Sequence, residues 1–305
     1  MKKLFYLSLF FIGLFYGQIK SCDICGCSSG SMSGGLFPQI QNNMGGLRYS
    51  HLIYKHPTLN PNFNGNSRVI QDTYNDAEGF FRWFPSKRWQ MWINVPYSTR
   101  IREESLRTTE LKGIGDIRFS AFYTVLRRDS SKFRFRHLLL AGGGVSLPTG
   151  KYQQRDENLT IMPVGFQIGT GSWSGNARFI YMLRFKKSGI ISQAGYKIYS
   201  ENERQFQKGS MTDAQINYFR NIKIGNKLSI FLHAGYKFEQ LQQDIEYQVR
   251  KSDSGSSSGW VNFSADIVAG HFLLNIGSDL PAYQDFKGNQ PLPSVRNSLS
   301  IAYLW

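Results

Sequence analysis

The sequence predicts an all-β protein, a transmembrane antiparallel up-and-down β-barrel of about twelve strands. From Asn43 onward, apolar residues recur at every second position, as at Leu228, Ile230 and Leu232, which is the period of a β-strand. Aromatic residues make up 15% of the chain although mean hydropathy is only −0.34. After the first seventeen residues, no apolar run approaches the roughly 18–20 residues of a membrane-spanning helix. A membrane β-barrel gives this combination because only every second side chain meets lipid.

Turn residues divide the chain into twelve predicted strands. The strands are expected over 45–55, 67–84, 88–102, 113–127, 133–147, 174–186, 189–201, 210–221, 227–243, 257–269, 270–280 and 295–305. Because twelve is even, both ends of the barrel chain lie on the periplasmic side. The long polar stretches at 56–66, 103–112, 148–173, 202–209, 244–257 and 281–294 then all fall on the outer side. Short turns on one side and long loops on the other are typical of outer-membrane barrels.

The final strand supports a membrane barrel over a secreted soluble β-sandwich. Leu299, Ile301, Tyr303 and Trp305 alternate with polar or small residues, and the chain ends on the aromatic Trp305. Terminal strands of bacterial outer-membrane barrels are similar, so we expect the barrel assembly machinery and outer-membrane lipid as partners. Strands of a soluble sandwich average about 5–6 residues, whereas several segments here run beyond ten.

The first residues predict export. Met1-Lys2-Lys3 is followed by the almost wholly apolar stretch 4–16, which is the pattern of a secretory signal peptide. Cleavage after Gly17 or after Ser21 is compatible with the pattern. We therefore expect a signal peptide at 1–21, a cysteine-containing flexible periplasmic tail at 22–44 and an outer-membrane barrel at 45–305.

All three cysteines lie in the predicted tail, as Cys22, Cys25 and Cys27. The C-x-x-C-x-C spacing brings three sulfurs within reach of one ion, and thiolates suit Cu(I) or Zn(II). Three cysteines are one fewer than a closed structural zinc site uses. A Cys22–Cys25 disulfide that leaves Cys27 free, and lipidation of Cys22, therefore remain open alternatives.

The alternation of the strands also predicts which residues face the lumen. If the aromatic positions face lipid, an inward basic set follows: Arg82, Arg118, Arg134 and Arg136, with Arg48, Arg178, His233, Lys237 and Arg296 in the same register. Inward arginines favour the passage of anions. The alternative is that these arginines pair with inward carboxylates and fill the lumen, because a twelve-stranded barrel is narrow.

Three motifs together resemble a known family. Gly113-Ile114-Gly115-Asp116, Leu147-Pro148-Thr149-Gly150-Lys151-Tyr152 and Gly169-Thr170-Gly171-Ser172-Trp173 are similar, in order and spacing, to motifs of the meta-pathway phenol-degradation family of outer-membrane "transporter" barrels. The resemblance is clearest over roughly 113–240. It implies an outer-membrane barrel that passes small, hydrophobic or aromatic molecules. Ser174 departs from the family pattern, in which an Asp is expected.

Two other classes of function have little support in the sequence. The net charge of +15 suggests nucleic-acid binding, but no such motif is present and the signal peptide argues against it. Basic loops that meet anionic outer-leaflet lipid explain the charge more simply. None of the five histidines has a serine two residues away on its strand, so we expect no hydrolase site.

The predicted function is a porin-like channel or transporter for small solutes, anionic or aromatic, with a basic lumen. One alternative is an accessory protein that handles copper or zinc through the cysteine tail. Another is a closed structural barrel.

Overall fold

The computed structural model describes residues 40–56, 70–104, 107–128, 134–156, 159–225 and 228–305. The signal peptide and almost all of the tail lie outside these residues, so both stay predictions. Nearly every described element is a β-strand, and a single 3-10 turn, Val164–Phe166, is the helical element of this part of the chain. No helix among the described residues has the length and apolarity to cross a membrane.

Sixteen β-segments follow one another along the chain. They are β1 (Met44–Lys55), β2 (Gln71–Trp83), β3 (Trp89–Glu104), β4 (Arg107–Ile114), β5 (Arg118–Arg128), β6 (Phe135–Ser146), β7 (Ser174–Phe185), β8 (Ser188–Tyr199), β9 (Phe206–Gln207), β10 (Met211–Ile224), β11 (Leu228–Leu241), β12 (Ile245–Glu246), β13 (Val249–Arg250), β14 (Ser256–Ala269), β15 (Phe272–Phe286) and β16 (Leu292–Leu304).

The sheet closes on itself. β1 pairs with both β2 and β16, so Met44 lies opposite Arg82 on one side and Leu304 on the other. β4 and β5 both pair with β3 and together form one strand of the wall. β9, β12 and β13 form a separate small sheet outside the wall. The wall therefore has twelve antiparallel strands, which confirms the predicted fold class.

Burial alternates along the strands in the sense expected for a membrane barrel. In β10 the residues that point inward are buried and largely polar, among them Asp213, Gln215 and Asn217. The intervening Ile216 and Tyr218 are about half exposed. A soluble protein places polar and apolar residues the other way round, so this outward apolar face is the lipid-facing surface.

The predicted strand and loop boundaries need correction at two places in the wall. The stretch 281–294 was expected to be a loop, but β15 continues to Phe286 and β16 begins at Leu292. The stretch 103–112 was expected to be a loop, but β3 continues to Glu104 and β4 returns from Arg107, with these two residues paired. The wall strand then breaks at 115–117, between β4 and β5. The polar character of 103–112 was misleading because this end of the hairpin lies on the long-loop side of the barrel.

Candidate functional site in the barrel interior

Apolar side chains fill the barrel at its short-turn end. The cluster, called the floor below, consists of Met44, Phe80, Trp92, Phe122, Leu138, Leu140, Ile180, Met182, Ile191, Phe219, Phe231, Leu273, Ala302 and Leu304. Each member is less than 9% exposed, and almost every strand of the wall contributes one. A narrow barrel can be filled by its own side chains, and the floor fills this one at the short-turn end.

Arg82 lies at the floor and binds the segment that leads into β1. Its guanidinium donates hydrogen bonds to the carbonyl oxygens of Ile40 (2.7 Å) and Asn42 (3.0 Å). The same group stacks 5.1 Å from the rings of Phe84 and Trp92. Arg82 therefore holds residues 40–42 against the barrel rather than pointing into an open lumen.

Above the floor, a buried carboxylate gathers two of the predicted lumen arginines. Glu78 accepts from Arg48 Nη1 at 3.2 Å, and its other oxygen pairs with Arg118 Nη2. Asn94 donates a further hydrogen bond to Glu78 at 2.8 Å. Two guanidinium groups therefore share one carboxylate.

Further charged pairs lie inside the barrel on strands β7 to β16, and together with Glu78, Arg48 and Arg118 they are called the polar layer below. Arg178 pairs with Asp213 (2.7 Å), Lys237 with Glu239, Arg296 with Asp279 (3.3 Å) and Glu239 (3.8 Å), and His233 with Asp266 (3.0 Å). These contacts follow the pattern in which inward arginines pair with inward carboxylates. His233 and Lys237 are each only 3% exposed.

At the long-loop end, the segment 147–173 folds into the barrel and is called the inward loop below. Its 3-10 turn places Phe166 in full burial against Tyr74, whose hydroxyl donates to the carbonyl of Gly165 at 3.0 Å. The guanidinium of Arg102 lies 4.8 Å from the Phe166 ring. The inward loop therefore partly covers the lumen from the outside.

Asp116 anchors the inward loop to the break between β4 and β5. One carboxylate oxygen accepts the Gly150 amide at 2.9 Å, and the other accepts the Thr170 amide (3.0 Å) and hydroxyl (2.7 Å). Thr149 adds a hydrogen bond from its hydroxyl to the Gly115 carbonyl at 3.0 Å. The three motifs that carry the family resemblance therefore meet at one carboxylate, and they hold the loop in place.

The glycines of these motifs allow two backbones to touch. A Cβ on Gly169 would lie 2.3 Å from the Gly150 carbonyl oxygen, which no other residue can tolerate without a shift. Gly171 has a φ of +64°, and a Cβ there would lie 2.6 Å from the ring of Tyr152. These close contacts explain why the motifs have glycine at both positions.

A cavity of about 130 Å³ lies between the inward loop and the polar layer, and is called the chamber below. Its charged lining residues are Arg100, Arg118, Lys197, Lys208, Arg296, Asp76 and Asp116. Tyr54 and Tyr74, with ring centroids 4.4 Å apart, form an aromatic part of its wall. This lining therefore contains five cationic side chains and two carboxylates.

The predicted lumen residues lie at different depths. Arg118 lines the chamber, Arg48 lies beside it on Glu78, and His233 and Lys237 lie in the polar layer. Arg134 and Arg136 are near the short-turn end, opposite the chamber. Arg136 is half-buried and lies opposite Arg184 in the backbone register of β6 and β7. Arg134 is exposed, and its guanidinium lies 5.4 Å from the Phe185 ring.

Sequence reasoning missed three basic residues of the chamber. Arg100 lies on a predicted strand, an even number of residues from Asn94 and Ser98, so the three side chains point to the same face. This alternation could have identified Arg100 as an inward residue. Lys197 also follows from alternation along β8. Lys208 lies in a loop without periodicity, so no sequence signal placed it there.

The described residues contain no group of three histidine, cysteine or acidic residues that would hold a metal ion. Cys22, Cys25 and Cys27 lie outside the described residues, so the copper or zinc site stays a prediction.

Comparison with solved structures supports the barrel fold. The chain is similar to the COG4313 outer membrane channel from Pseudomonas putida F1, with 13% identity, a TM-score of 0.66, and coverage of 87% of this chain and 96% of that one. It is less similar to the beta domain of the Bordetella autotransporter Brka (11% identity, TM-score 0.48, 86% and 99% covered) and to the CymD monoaromatic hydrocarbon channel (7% identity, TM-score 0.39, 88% and 90% covered).

No curated protein matches the sequence. The family model described as "Putative MetA-pathway of phenol degradation" matches residues 39–273, which is more than half of the chain. This range includes all three motifs that meet at Asp116. The chain therefore belongs to the family of the putative MetA-pathway of phenol degradation, as its motifs predicted.

Proposed function

We propose that this protein is an outer-membrane channel for small anionic solutes, with a preference for aromatic acids. The observation that carries the proposal is the basic chamber beneath the inward loop. The similar barrel from Pseudomonas putida is an outer membrane channel, and the family description refers to phenol degradation. Both agree with a role in solute passage.

The charge of the chamber favours anions over cations. Arg100, Arg118, Lys197 and Arg296 are among the cations that line it. Asp76 pairs with Arg100 at 2.8 Å, and Asp116 accepts a hydrogen bond from the inward loop. A charged solute inside the barrel is screened less than in water, so this excess of cations attracts an anion and repels a cation.

The shape and aromatic wall favour a small planar molecule. The chamber volume of about 130 Å³ suits a single-ring compound, and the rings of Tyr54 and Tyr74 offer a surface for stacking. A carboxylate attached to an aromatic ring would therefore satisfy both the basic and the aromatic parts of the lining.

Passage along the barrel axis requires movement in this proposal. The inward loop partly covers the chamber from the outside, and the floor fills the barrel beneath the polar layer. The described conformation is therefore the closed one, and opening involves release of the inward loop, rearrangement of the floor, or both.

Flux and selectivity measurements on the full chain test the proposal. In planar bilayers under a KCl gradient, we expect the reversal potential to report anion preference. In liposomes, benzoate should enter faster than benzamide, which has the same shape without the charge. Lys197→Gln should reduce both preferences several-fold, because it removes a chamber cation, while the exposed Lys112→Gln should change neither.

Two outcomes would contradict the proposal. Absence of conductance and of solute flux would exclude a channel. Cation preference, or equal flux of benzoate and benzamide, would exclude the anionic permeant while leaving a channel.

A further inference from the structure

A second cavity, of about 550 Å³, lies at the long-loop end of the barrel, between the ends of β8, β11, β14 and β15 and the small β9–β12–β13 sheet. Tyr196 and Ile198 of β8 line it, and they are 47% and 53% exposed on the lipid-facing side. Ser257 and Asp285 extend the lining across β14 and β15. Because its lining includes outward positions of the wall, this cavity is in reach of the surrounding lipid.

The cavity is basic. Lys208, Arg250 and Lys287 line it, against the single carboxylate of Asp285. Arg250 belongs to the β12–β13 hairpin and Lys287 follows β15, and both residues are exposed. Serine hydroxyls at 210, 256 and 257 add neutral hydrogen-bonding groups. Three cations around a cavity that also has hydroxyl donors suit a phosphate group.

The β12–β13 hairpin contributes to the cavity and presents apolar side chains outward. Tyr247 and Val249, at and beside its turn, are 65% and 67% exposed. The hairpin is nevertheless held in place, since the Tyr247 amide donates to the Gln205 carbonyl at 2.9 Å and Lys251 pairs with Glu246 at 2.8 Å. Exposed tyrosine and valine beside a cationic cavity are suited to the boundary between headgroups and acyl chains.

We propose that this cavity binds the phosphate-bearing headgroup of an outer-leaflet lipid. The phosphate lies between Lys208, Arg250 and Lys287, and the acyl chains run along the outer wall over Tyr196 and Ile198. A soluble anion would use the cations but would leave the lipid-facing aromatic and aliphatic wall unused. The proposal rests on the outer-membrane barrel fold. Lys208 also lines the chamber, whereas Arg250 and Lys287 line only this cavity.

Native mass spectrometry of the intact protein released from detergent micelles tests this site. The probes are phosphorylated lipid A and the same lipid after removal of its phosphates. We expect the wild type to retain the phosphorylated form, and Arg250→Gln combined with Lys287→Gln to weaken its retention about 30-fold, as roughly additive surface charges would. The matched control, Lys112→Gln with Lys223→Gln, removes two exposed cations elsewhere and should bind as the wild type does.

Several outcomes would overturn the proposal. These are equal retention of the phosphorylated and dephosphorylated lipid, unchanged retention in the double variant, or displacement of the lipid by millimolar inorganic phosphate, which would indicate a free-anion site. Heat-modified mobility on gels checks that each variant is folded, and Lys287→Gln alone serves if the double variant does not fold. The bilayer conductance of the double variant should stay unchanged, so failure of this site and failure of the channel are distinguishable.

Discussion

At the scale of single residues, Asp116 is the side chain that holds the inward loop in its described position. Its two oxygens accept hydrogen bonds from the backbone or side chains of Gly150 and Thr170, so it joins the wall to both ends of the inward loop. Hydrogen bonds to a charged group contribute about 1.5–3 kcal/mol each. Loss of this carboxylate should therefore favour release of the loop more than loss of any neutral contact nearby.

We predict that Asp116→Asn opens the inward loop. The amide keeps the size of the side chain but has a single acceptor oxygen and no charge, so it cannot satisfy the amides of both Gly150 and Thr170. Single-channel recording should show larger or more frequent openings, and protease should cleave the loop faster. Glu110→Gln, an exposed substitution on the same wall strand, is the control. If Asp116→Asn and the control behave alike, Asp116 does not hold the loop closed.

Arg82 and Arg118 show what the alternation of side chains along a strand predicts about a single residue. Both residues were predicted from the same register, and both are buried or half-buried. Arg82 contacts backbone carbonyls at the floor, whereas Arg118 pairs with Glu78 beside the chamber. Alternation gives the face of the strand, but depth along the barrel and the identity of the partner depend on neighbouring strands.

At the scale of elements, the small β9–β12–β13 sheet was not predictable. Each of its strands has two residues, which is too short to show any period. The sheet is held by contacts between loops that are distant in sequence, including the bond from the Gly209 amide to Asp244 at 2.8 Å. Burial of Asp244 raises the pKa of its carboxyl above the ordinary value of 3.8, and this outweighs the hydrogen bond from Gly209 and the nearby cations Lys208 and Lys251.

This shift predicts that the folded arrangement of the loops around Asp244 becomes more stable as pH falls. A carboxyl whose pKa is higher in the folded arrangement binds its proton more tightly there, so protonation favours that arrangement as pH falls through the raised pKa towards 3.8, and the gain levels off below 3.8. Hydrogen exchange at the Gly209 amide, corrected for the intrinsic rate, should show rising protection over this range. Asp244→Asn should abolish the dependence. Protection that falls as pH falls would contradict the assignment.

The β3–β4 hairpin is a second element that the sequence pattern did not predict. Its polar composition predicted a loop at 103–112, yet residues 107 to 114 pair in register with β3. On its inward side Leu111 is the one large apolar residue, and it packs with the inward loop. A strand beyond the lipid needs no apolar outer face, so the pattern that identifies the other strands was missing.

At the scale of the whole molecule, the barrel has polar groups inside and apolar groups outside. The polar layer, the floor and the lipid-facing wall all follow from one alternation repeated on twelve strands. Aromatic residues cluster where the chain ends, with Trp305 close to Tyr303 and Phe81 at 6.3 Å and 5.6 Å between ring centroids. Such an aromatic belt is typical of the membrane interface.

This arrangement predicts that the cost of a charge on the outer wall depends on depth. Phe263 lies near the middle of β14 and is 51% exposed, so Phe263→Lys should cost about 2–4 kcal/mol of folding free energy in a bilayer. Tyr283 is similarly exposed but lies near the outer end of β15, and Tyr283→Lys should cost about 0–1 kcal/mol. Denaturant titration in lipid vesicles measures both. Equal costs would argue against a bilayer centred on these strands.

The sequence by itself determined the fold class, the number of wall strands, the alternation of side chains along those strands and the family. These properties depend on local periodicity and on short motifs, which a single chain displays directly. The tertiary structure decided the rest: that the inward loop enters the barrel and meets Asp116, that Arg82 holds residues 40–42, and that loop residues such as Lys208 join the chamber. Each of these depends on which distant strands and loops become neighbours when the barrel closes, and closure brings together residues whose separation in sequence carries no local signal.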